Sequence, residues 1–429
     1  MSARGSGAGD RTLVGFGFGP IQAGLFCLEA QQSGAFDRLV VAEVAPALVA
    51  ALRRAGGVYQ VNVAHPDRRE VVTVGPIAVE NPAVQADRDR LIAAVAAAQE
   101  IATAVPSVRY YTEPGPASLH RILAAGFRRK LASGGPAAVV YAAENHPRAA
   151  ALLRQAVLDE IPEGERAAVD AHVRFVDTVI AKMSGVAQPP GDLAPVTPDG
   201  DRAFLVEAFN HILIARIDFA PDDGFVRGLR VFEEKEDLYP FEEAKLYGHN
   251  AVHALAAYLG AMLGVETLAE LAQAPGALAF LRGALIEESG GALLRKYGGV
   301  GDPFFTAAGF AQAADDLLAR MVNPFLRDTV ARVGRDPARK LAWDDRLVGA
   351  MRLALAYGIT PRRYAVGAAA ALSVLDPRAE PADLLPALWQ PAQPDPSEVA
   401  AILALIEQGR QRLAAWCAAG RPDLAQWLS

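Results

Sequence analysis

The sequence predicts an α/β protein with a mostly parallel sheet in its N-terminal half and a mostly α-helical C-terminal half. Before residue 235, short β-rich runs alternate with Ala/Leu-rich helical patterns, which indicates βαβ units and a sheet covered on both faces. From about Phe241 onwards the pattern is almost entirely helical. We therefore expect a sheet domain at residues 10–235 and a helical domain at residues 236–429.

The individual elements follow from short apolar runs and from helical periodicity. Strand-like runs fall at residues 12–16, 39–44, 101–105, 137–141, 204–217 and 229–232. Helical patterns fall at residues 21–32, 47–55, 87–98, 251–263, 277–287, 307–321 and 397–418. A stretch rich in Pro, Gly and Asp at residues 188–200 predicts a loop.

Composition and charge exclude several classes of protein. The chain has 429 residues, of which 52% are hydrophobic and 21% charged, a globular balance that excludes a wholly disordered chain. Its net charge of −7 gives no bulk attraction for nucleic acid or an anionic membrane. The longest strongly apolar run, residues 365–375, is too short to span a bilayer. Cys27 and Cys417 lie too far apart in sequence to suggest a disulfide framework or a cysteine zinc site, so a reducing cytoplasm is the expected location.

A glycine-rich turn, VGFGFGPIQAG, begins within the first predicted strand and leads into the first predicted helix. Gly17 and Gly19 match the first two glycines of the GxGxxG pattern, in which the backbone approaches a pyrophosphate and the helix N-terminus faces it. Gln22 stands where the third glycine is expected, and we expect Gly24 to relieve helix–strand crowding in its place. A tight turn that binds no ligand is the alternative.

An acidic residue follows the second predicted strand at the position that suits a dinucleotide. Glu43 ends VVAEV, roughly twenty residues after the glycine turn, where the ribose hydroxyls of the adenosine half are held. A carboxylate there repels a 2′-phosphate, so the pattern favours a Rossmann-type domain that binds NAD rather than NADP. An exposed acid at a strand end is the alternative.

Four polar side chains share one side of the first helix of the C-terminal half. On a regular helix with Lys245 at 0°, His249 falls at about 40°, His253 at about 80° and Asn250 at about 140°. A partly buried lysine has a lowered pKa and can accept a proton from an alcohol near neutral pH. An asparagine can donate to the developing alkoxide or carbonyl oxygen. The set therefore predicts acid–base chemistry on a hydroxyl group.

Two other interpretations of this face stay open. One is a solvated helix surface. The other is a metal pair, because His249 and His253 are four residues apart. The metalloprotease signature needs Glu directly after the first His, whereas this chain has Asn250 there, and no obvious carboxylate ligand accompanies the histidines. We expect no metal.

These residues resemble the polyol-specific long-chain dehydrogenases, the mannitol dehydrogenase family. The pattern Lys245-x4-Asn250-x2-His253, within EEAKLYGHNAVHALAAYLG, is similar to the family's Lys-x4-Asn-x2-His signature. FGFGPIQAG is similar to the family's FGAGNIGRG, and AAEN, which ends in Asn145, to its acid–Asn dipeptide. YQVNV resembles the segment after the family's second βα unit, and RFVD resembles a further sheet segment, so the resemblance covers nearly the whole chain.

The resemblance implies roles for particular residues. Lys245 is then the general base, Asn145 and Asn250 hold the reacting oxygen, and His253 orients the polyol. Hydride passes directly to or from nicotinamide, and no metal is needed. The implied cofactor-binding residues are Gly17, Phe18, Gly19, Pro20, Ile21 and Glu43.

The helical half most resembles the mannitol-1-phosphate 5-dehydrogenase branch of the family. GALIEESGGALLRKYG, NPFLRDTVARVGRDPARKL and DRL carry this likeness. They supply the implied substrate-binding residues Arg332, Arg339, Lys340 and Arg346. A guanidinium at position 339 suits a phosphate, because it can form two parallel hydrogen bonds to it. The expected reaction therefore interconverts a polyol phosphate and a ketose phosphate, although a solvated helix end is the alternative for Arg332, Arg339 and Lys340.

Three other functions stay open: a dehydrogenase of a free polyol, a reductase of a hexuronate such as tagaturonate, and a catalytically silent sensor that binds a sugar phosphate or dinucleotide. Three departures from the family pattern bear on the choice. They are Gln22 in the glycine turn, residues 109–117 (RYYTEPGPA), which look like an insertion beside the nicotinamide site, and Ala181 where an acid is common. The expected partners are NAD and a polyol or sugar phosphate, and the expected assembly is a monomer or a small homo-oligomer without nucleic acid or membrane.

Overall fold

A computed structural model describes residues 11–428, apart from the side chains of Pro221 and Leu428. Its contacts divide the chain into two compact units that meet in sequence between Tyr239 and Pro240. No helix among the described residues combines the length and the apolar character needed to cross a membrane.

The N-terminal unit contains the described strands. Their bounds are β1 Thr12–Phe16, β2 Arg38–Ala42, β3 Tyr59–Ala64, β4 Arg69–Val74, β5 Ala78–Glu80, β6 Glu100–Thr103, β7 Ala138–Ala142, β8 Val173–Val179, β9 Ser184–Ala187, β10 Ala203–Glu207, β11 Ile212–Ala215 and β12 Phe232–Lys235.

The larger sheet has the strand order β12-β11-β8-β7-β6-β1-β2-β5. From β5 to β8 every neighbouring pair is parallel. Taken in chain order, these six strands lie as 3-2-1-4-5-6, the order of the dinucleotide-binding Rossmann fold. Beyond them β11 runs antiparallel to β8 and parallel to β12. The predicted fold class, a Rossmann-type mostly parallel sheet followed by helices, is confirmed.

The register aligns the carboxyl ends of four central strands. Phe16 pairs with Ala42 on one side and Thr103 on the other, and Thr103 pairs with Ala142. The residues that follow these positions therefore emerge at one edge of the sheet. In a parallel sheet of this order, ligands bind at that edge.

Alternate residues of the central strands enter two different cores, which shows that both faces of the sheet are covered. Leu13 belongs to one core and its neighbour Val14 to the other, and Val139 and Val140 divide in the same way. This explains why β1 and β7 read as continuous apolar runs rather than as alternating ones.

A second sheet, with the order β4-β3-β10-β9, contributes to one of these cores. β3 pairs antiparallel with β4 and parallel with β10, and β10 pairs antiparallel with β9. The sequence patterns did not predict this sheet. β4 explains why: its residues Arg69–Val74 are mostly half-buried or exposed, so they give no buried apolar run.

The described α-helices divide between the two units. In the N-terminal unit they are α1 Leu28–Ser33, α2 Pro46–Arg54, α3 Gln85–Ala97, α4 Leu119–Ala132, α5 Ala149–Asp159 and α6 Glu163–His172, with α7 Tyr239–Glu243 at the division. In the C-terminal unit they are α8 Asn250–Leu263, α9 Ala277–Gly283, α10 Gly291–Tyr297, α11 Ala307–Met321, α12 Val330–Gly334, α13 Pro337–Lys340, α14 Arg346–Ala356, α15 Arg362–Leu375, α16 Pro381–Trp389, α17 Pro396–Ala418 and α18 Leu424–Leu428. π-helical segments lead from helical residues into α1, α8 and α10, at Gln22–Cys27, Ala244–His249 and Ala284–Gly290.

Close approaches at small residues hold the helical unit together. A Cβ on Gly367 of α15 would come within 2.4 Å of Leu255 of α8, and one on Gly409 of α17 within 2.5 Å of the Ala365 carbonyl oxygen. The apolar run at residues 365–375 is therefore the centre of a helical core rather than a membrane segment.

Three predicted strands differ clearly from the observed ones. The strand predicted at residues 204–217 is two strands in different sheets, β10 and β11. The last predicted strand, residues 229–232, meets the observed β12 only at Phe232, because Leu229 is a buried loop residue and the strand continues into Glu233–Lys235. The strand predicted at residues 39–44 ends at Ala42. Its last two predicted residues, Glu43 and Val44, belong instead to the turn that leads into α2.

Candidate active site

The glycine turn leaves β1 with its backbone in a conformation that needs glycine. Gly17 has φ 84° and donates its N–H to the Ala42 carbonyl oxygen at 2.9 Å. A Cβ there would come within 2.8 Å of the Ala104 carbonyl oxygen, whereas a Cβ on Gly19 would meet nothing within 4 Å. Gly17 is thus required by the turn itself, and Gly19 leaves open space beside the backbone, as a bound phosphate requires.

Among the other residues of the turn, the Phe18 side chain enters the core, while Pro20 and Ile21 begin the helix. The Phe18 side chain is buried and packs on Tyr59, with 4.9 Å between ring centroids. Only the backbone of Phe18 is therefore suited to a ligand. The chain becomes helical at Pro20, and Ile21 follows within the first turn. Pro at a helix start sacrifices no hydrogen bond, because the first amides of a helix have no partner within it.

Gln22, the departure from GxGxxG, is accommodated by a glycine on the strand instead of the helix. The Gln22 side chain is fully buried, and a Cβ on Gly15 of β1 would lie 2.2 Å from its Nε2. Gly24 also relieves helix–strand crowding, as expected, but against strands of the second sheet rather than against β1. A Cβ on Gly24 would meet Val206 at 2.6 Å, so Gly24 faces the second sheet.

Glu43 directly follows β2, and its side chain also stabilises the glycine turn. Its Oε2 accepts a hydrogen bond from the Phe18 N–H at 3.0 Å, and its Oε1 accepts one from the Ala45 N–H at 2.7 Å. The carboxylate is 9% exposed. Glu43 therefore fixes the phosphate-facing backbone, a role that the sequence pattern did not predict.

Asn145 follows the carboxyl end of β7, at the same edge of the sheet, and its side chain is exposed. Its neighbour Glu144 is buried and turns inward. The Thr103 hydroxyl donates to Glu144 at 2.8 Å and the Val105 N–H donates at 2.9 Å. The glycine turn, Glu43 and Asn145 thus lie along one edge of the sheet.

The segment around Ala181 is held by the residue that follows it. Lys182 is buried, and its Nζ donates to the Phe209 carbonyl oxygen at 2.8 Å and to Asn210 Oδ1 at 2.6 Å. Next to Ala181, where the family commonly has an acid, the buried Lys182 therefore connects this segment to the residues that follow β10.

In the C-terminal unit the catalytic lysine predicted from the sequence lies in a π-helical turn. Asn250 donates its N–H to the Lys245 carbonyl oxygen, an i→i+5 bond, in place of the regular i→i+4 bond. The regular-helix angles are therefore wrong for this stretch, because a π turn contains more residues than an α turn and so changes the angle between Lys245 and Asn250. Single π turns inside helices are frequent at functional sites.

Packing against α14 accompanies the wider turn. The Tyr247 ring lies so close to Gly349 that a Cβ there would be 2.4 Å from Cε1. The Tyr247 hydroxyl also donates to the Asp344 carbonyl oxygen at 3.4 Å. These contacts place the start of α14, with Arg346, beside the π turn.

Lys245 is half-buried, and burial lowers its pKa to about 8. The positive charge of Arg346 lowers the pKa further, while Glu242 opposes the change. A lysine with this pKa is partly neutral near pH 8 and can accept a proton. Burial, followed by the charges of His253, Arg320, Lys245 and Arg346, also holds the pKa of His249 well below its usual value.

His253 is oriented by a carboxylate that the sequence patterns did not single out. Its Nε2 lies 3.1 Å from Asp328 Oδ2, and the Asp328 side chain is buried. Burial opposes the ionisation of Asp328, but the hydrogen bond and charge of His253 and the charge of Arg332 lower its pKa. The spacing around His253 carries no signal for a partner 75 residues away.

The four basic residues predicted to bind substrate have different environments. Arg332 forms an ion pair with Asp328. Arg346 lies 2.7 Å from Asp345 and is mostly buried, whereas Arg339 is 50% exposed and reaches Asp345 only at 3.7 Å. Arg339 is therefore the most accessible of these guanidinium groups.

Lys340 is buried rather than at a solvated helix end. Its Nζ donates to the Arg335 carbonyl oxygen and lies 6.0 Å from the Tyr258 ring centroid. Burial, together with the charges of Arg346 and Arg339, lowers its pKa to about 8. Arg346 thus acts on both Lys340 and Lys245, which indicates one cationic region. Among residues 11–428, no group of three or more His, Cys, Asp or Glu side chains is arranged to hold a metal ion.

A Rossmann sheet followed by a helical unit that carries a lysine, an asparagine and a histidine in one continuous helical stretch is typical of a two-domain dehydrogenase. Two family models place the chain within that class. The mannitol dehydrogenase Rossmann domain matches residues 11–219, and the mannitol dehydrogenase C-terminal domain matches residues 237–407. The chain belongs to the mannitol dehydrogenase family.

Solved structures share this fold at low sequence identity. A D-sorbitol dehydrogenase in substrate-free form is 15% identical, with a TM-score of 0.73 and 94% of each chain covered. The Pseudomonas fluorescens mannitol 2-dehydrogenase, in a ternary complex with NAD and D-mannitol, is 17% identical, with a TM-score of 0.67. That match covers 96% of this chain and 93% of the other.

Proposed function

We propose that this protein is an NAD-dependent dehydrogenase that interconverts a polyol phosphate and a ketose phosphate. In this proposal residues 10–235 bind NAD, residues 236–429 bind the substrate, and Asn145, Lys245 and His253 are catalytic residues. The observation that carries the choice of substrate is the cationic region around Lys245, in which Arg346 acts electrostatically on both Lys245 and Lys340.

The residues at the sheet edge fit NAD. Gly17 and Gly19 allow a pyrophosphate to approach the backbone, and the helix that begins at Pro20 directs its first amides towards it. The charge of Glu43 disfavours a 2′-phosphate. The mannitol 2-dehydrogenase of the same fold was solved with NAD bound, which supports the same cofactor here.

The C-terminal residues supply the proton chemistry. Neutral Lys245 takes the proton from the substrate hydroxyl as the hydride leaves the same carbon, and a ketone forms. NAD, when bound, is the hydride acceptor. Asn250 and Asn145 donate hydrogen bonds to the oxygen as its bond to carbon shortens. In the reverse direction, protonated Lys245 returns the proton.

The cationic region suits a phosphate at the end of the polyol away from the reacting carbon. Arg339 can donate two parallel hydrogen bonds to phosphate oxygens, because it is half exposed and its ion pair with Asp345 is long, at 3.7 Å. The known activity of structural relatives on free sorbitol and mannitol makes a free polyol the second candidate.

A substrate panel tests the proposal. Mannitol 1-phosphate, glucitol 6-phosphate, free mannitol, free sorbitol and two hexuronates would be assayed with NAD(H) and NADP(H) by reduced-nicotinamide absorbance, with Lys245→Ala as background. We expect kcat/KM for a phosphorylated polyol to exceed that for the free polyol by at least about tenfold. Preference for a free polyol or hexuronate refutes the phosphate. Tight NADH binding without turnover of any substrate refutes the enzyme and favours a sensor.

A further inference from the structure

The segment at residues 109–117 reaches the carboxyl-end edge of the sheet through one buried side chain. Tyr111 is 1% exposed, and its hydroxyl donates a hydrogen bond to Oε2 of Glu144. Its own backbone is held in turn, because the Ser118 hydroxyl donates to the Tyr111 carbonyl oxygen at 3.2 Å. The segment is therefore anchored at Glu144.

Glu144 collects three donors from three places in the chain. Besides Tyr111, Thr103 at the end of β6 donates to Oε2 and the Val105 N–H donates to Oε1. Burial raises the pKa of Glu144, and the hydrogen bonds from Tyr111, Val105 and Thr103 work against that rise. A carboxylate that accepts from all three is held in one orientation, because each oxygen has an assigned donor.

Backbone hydrogen bonds hold the chain on both sides of Asn145. Ala143 donates its N–H to the Thr103 carbonyl oxygen at 3.0 Å, and His146 donates its N–H to the Glu144 carbonyl oxygen at 2.8 Å. At the far end of this loop Ala150 donates its N–H to Asp177 at 2.8 Å. Asn145 thus lies at the exposed tip of a loop whose two ends are anchored.

We propose that Tyr111 and Glu144 are positioning residues that set the place of Asn145, so that Tyr111 alone links its segment to the proposed active site. The proposal rests on the proposed function, in which Asn145 donates to the reacting oxygen. Because the contribution of such a donor depends steeply on its position, loosening its anchor lowers turnover without removing any group that touches the substrate.

The segment offers a matched control one residue away. Tyr110 carries the same hydroxyl, but that hydroxyl accepts from the exposed Arg109 at 2.7 Å and does not contact Glu144. Tyr111→Phe and Tyr110→Phe therefore remove the same atom from the same segment, and only the first removes a donor to Glu144.

The first experiment compares steady-state kinetics and NADH binding for the two variants. We expect Tyr111→Phe to lower kcat about ten- to a hundredfold, with the NADH dissociation constant within about twofold of the unsubstituted protein. Tyr110→Phe should keep its kcat. Glu144→Gln should lower kcat as well, and adding Tyr111→Phe to it should cost little more, because both changes act on one hydrogen bond. Equal kcat for the two tyrosine variants overturns the proposal.

Hydrogen–deuterium exchange gives a readout that does not depend on turnover. Tyr111→Phe should speed exchange at the amides of Val105, Ala143 and His146, and Tyr110→Phe should leave them protected. If the unsubstituted protein oxidises no substrate, the proposed function fails, and this contrast still decides whether Tyr111 anchors the loop. Unchanged exchange in Tyr111→Phe refutes the anchor even if activity is present.

Discussion

Asp328 accepts a hydrogen bond from His253, with 3.1 Å between Oδ2 and Nε2. Because Asp328 is buried and its pKa is lowered, although burial opposes that shift, it remains a carboxylate and needs a proton on Nε2. In the neutral imidazole the other ring nitrogen, Nδ1, is then an acceptor. A substrate hydroxyl can donate to it, which gives His253 a defined part in orienting a polyol.

Asp328→Asn should therefore lower kcat/KM for the substrate by roughly 10- to 100-fold, as is common when the partner that orients a site histidine is changed. NADH affinity should stay the same, because the change lies in the other domain from the proposed cofactor site. Steady-state kinetics and NADH fluorescence titration measure the two quantities. Asp315→Asn is the control, since Asp315 is exposed and pairs with Arg282. Equal effects of the two variants would contradict the role of Asp328.

The pKa of about 8 for Lys245 predicts a pH profile. Lysine accepts a proton only when neutral, so kcat/KM for polyol oxidation should rise with pH and level off above about pH 8, while ketose reduction falls over the same range. Arg346→Met removes a positive charge that lowers the Lys245 pKa, so the midpoint should move to higher pH. Arg410→Met should leave the midpoint in place, because Arg410 is a partly exposed residue of α17 that pairs with Glu407. A midpoint unchanged by Arg346→Met would show that another group controls the profile.

The sequence predicted those helices and strands best whose apolar residues form a clear run or a clear helical periodicity. β1 and α11 have the predicted bounds, Thr12–Phe16 and Ala307–Met321, because one is a continuous apolar run and the other a clear amphipathic helix. β4 gave no signal because most of its side chains are not buried. The π turn at Lys245 could not be predicted from spacing. It goes together with the packing of Tyr247 on Gly349, a tertiary contact between residues that are distant in sequence.

The site was predictable where it is local in sequence. Lys245, Asn250 and His253 lie within nine residues, so their spacing already indicated that they share one side of a helix. Asp328 and Glu144 act through partners that tertiary packing brings to them from distant positions. No periodicity records such a pairing, so the partners of both carboxylates emerged only from the structure, although Glu144 is the acid of the acid–Asn dipeptide in AAEN.

Gly15 of β1 makes room for Gln22, which stands where the GxGxxG pattern has its third glycine, and this pairing leads to a stability prediction. Gly15→Ala would place a Cβ 2.2 Å from Gln22 Nε2, and we expect it to lower the free energy of unfolding by about 1–3 kcal/mol through overpacking. Adding Gln22→Gly, which restores the third glycine of the turn, should recover part of that loss because the clash disappears. Urea unfolding of the single and double variants measures the coupling. Additive losses would mean that the two side chains do not compete for one space.

Glu43 predicts an effect on both cofactor affinity and cofactor choice. Glu43→Ala removes the acceptor for the Phe18 and Ala45 amides as well as the negative charge. NADH binding should weaken, and the ratio of NADPH to NADH dissociation constants should fall towards one. Glu43→Gln keeps a side chain that can accept from one of these amides, so it should lose discrimination with less loss of NADH affinity. Fluorescence titrations with both cofactors separate these effects. Tighter binding of NADPH than NADH by the unsubstituted protein would refute the assignment.

Arg339 provides the sharpest test of a phosphorylated substrate. Its guanidinium is half exposed and only weakly engaged by Asp345, so its removal should leave the fold and Lys245 in place. Charge-assisted hydrogen bonds to phosphate contribute roughly 1.5–3 kcal/mol, which corresponds to about 10- to 150-fold in binding. Arg339→Ser should therefore raise KM for the phosphorylated polyol by that factor and change KM for the free polyol little. Arg332→Ser is a poorer comparison, because Arg332 already pairs with buried Asp328 and its loss also disturbs His253. If Arg339→Ser weakens both substrates equally, the phosphate is held elsewhere or is absent from the natural substrate.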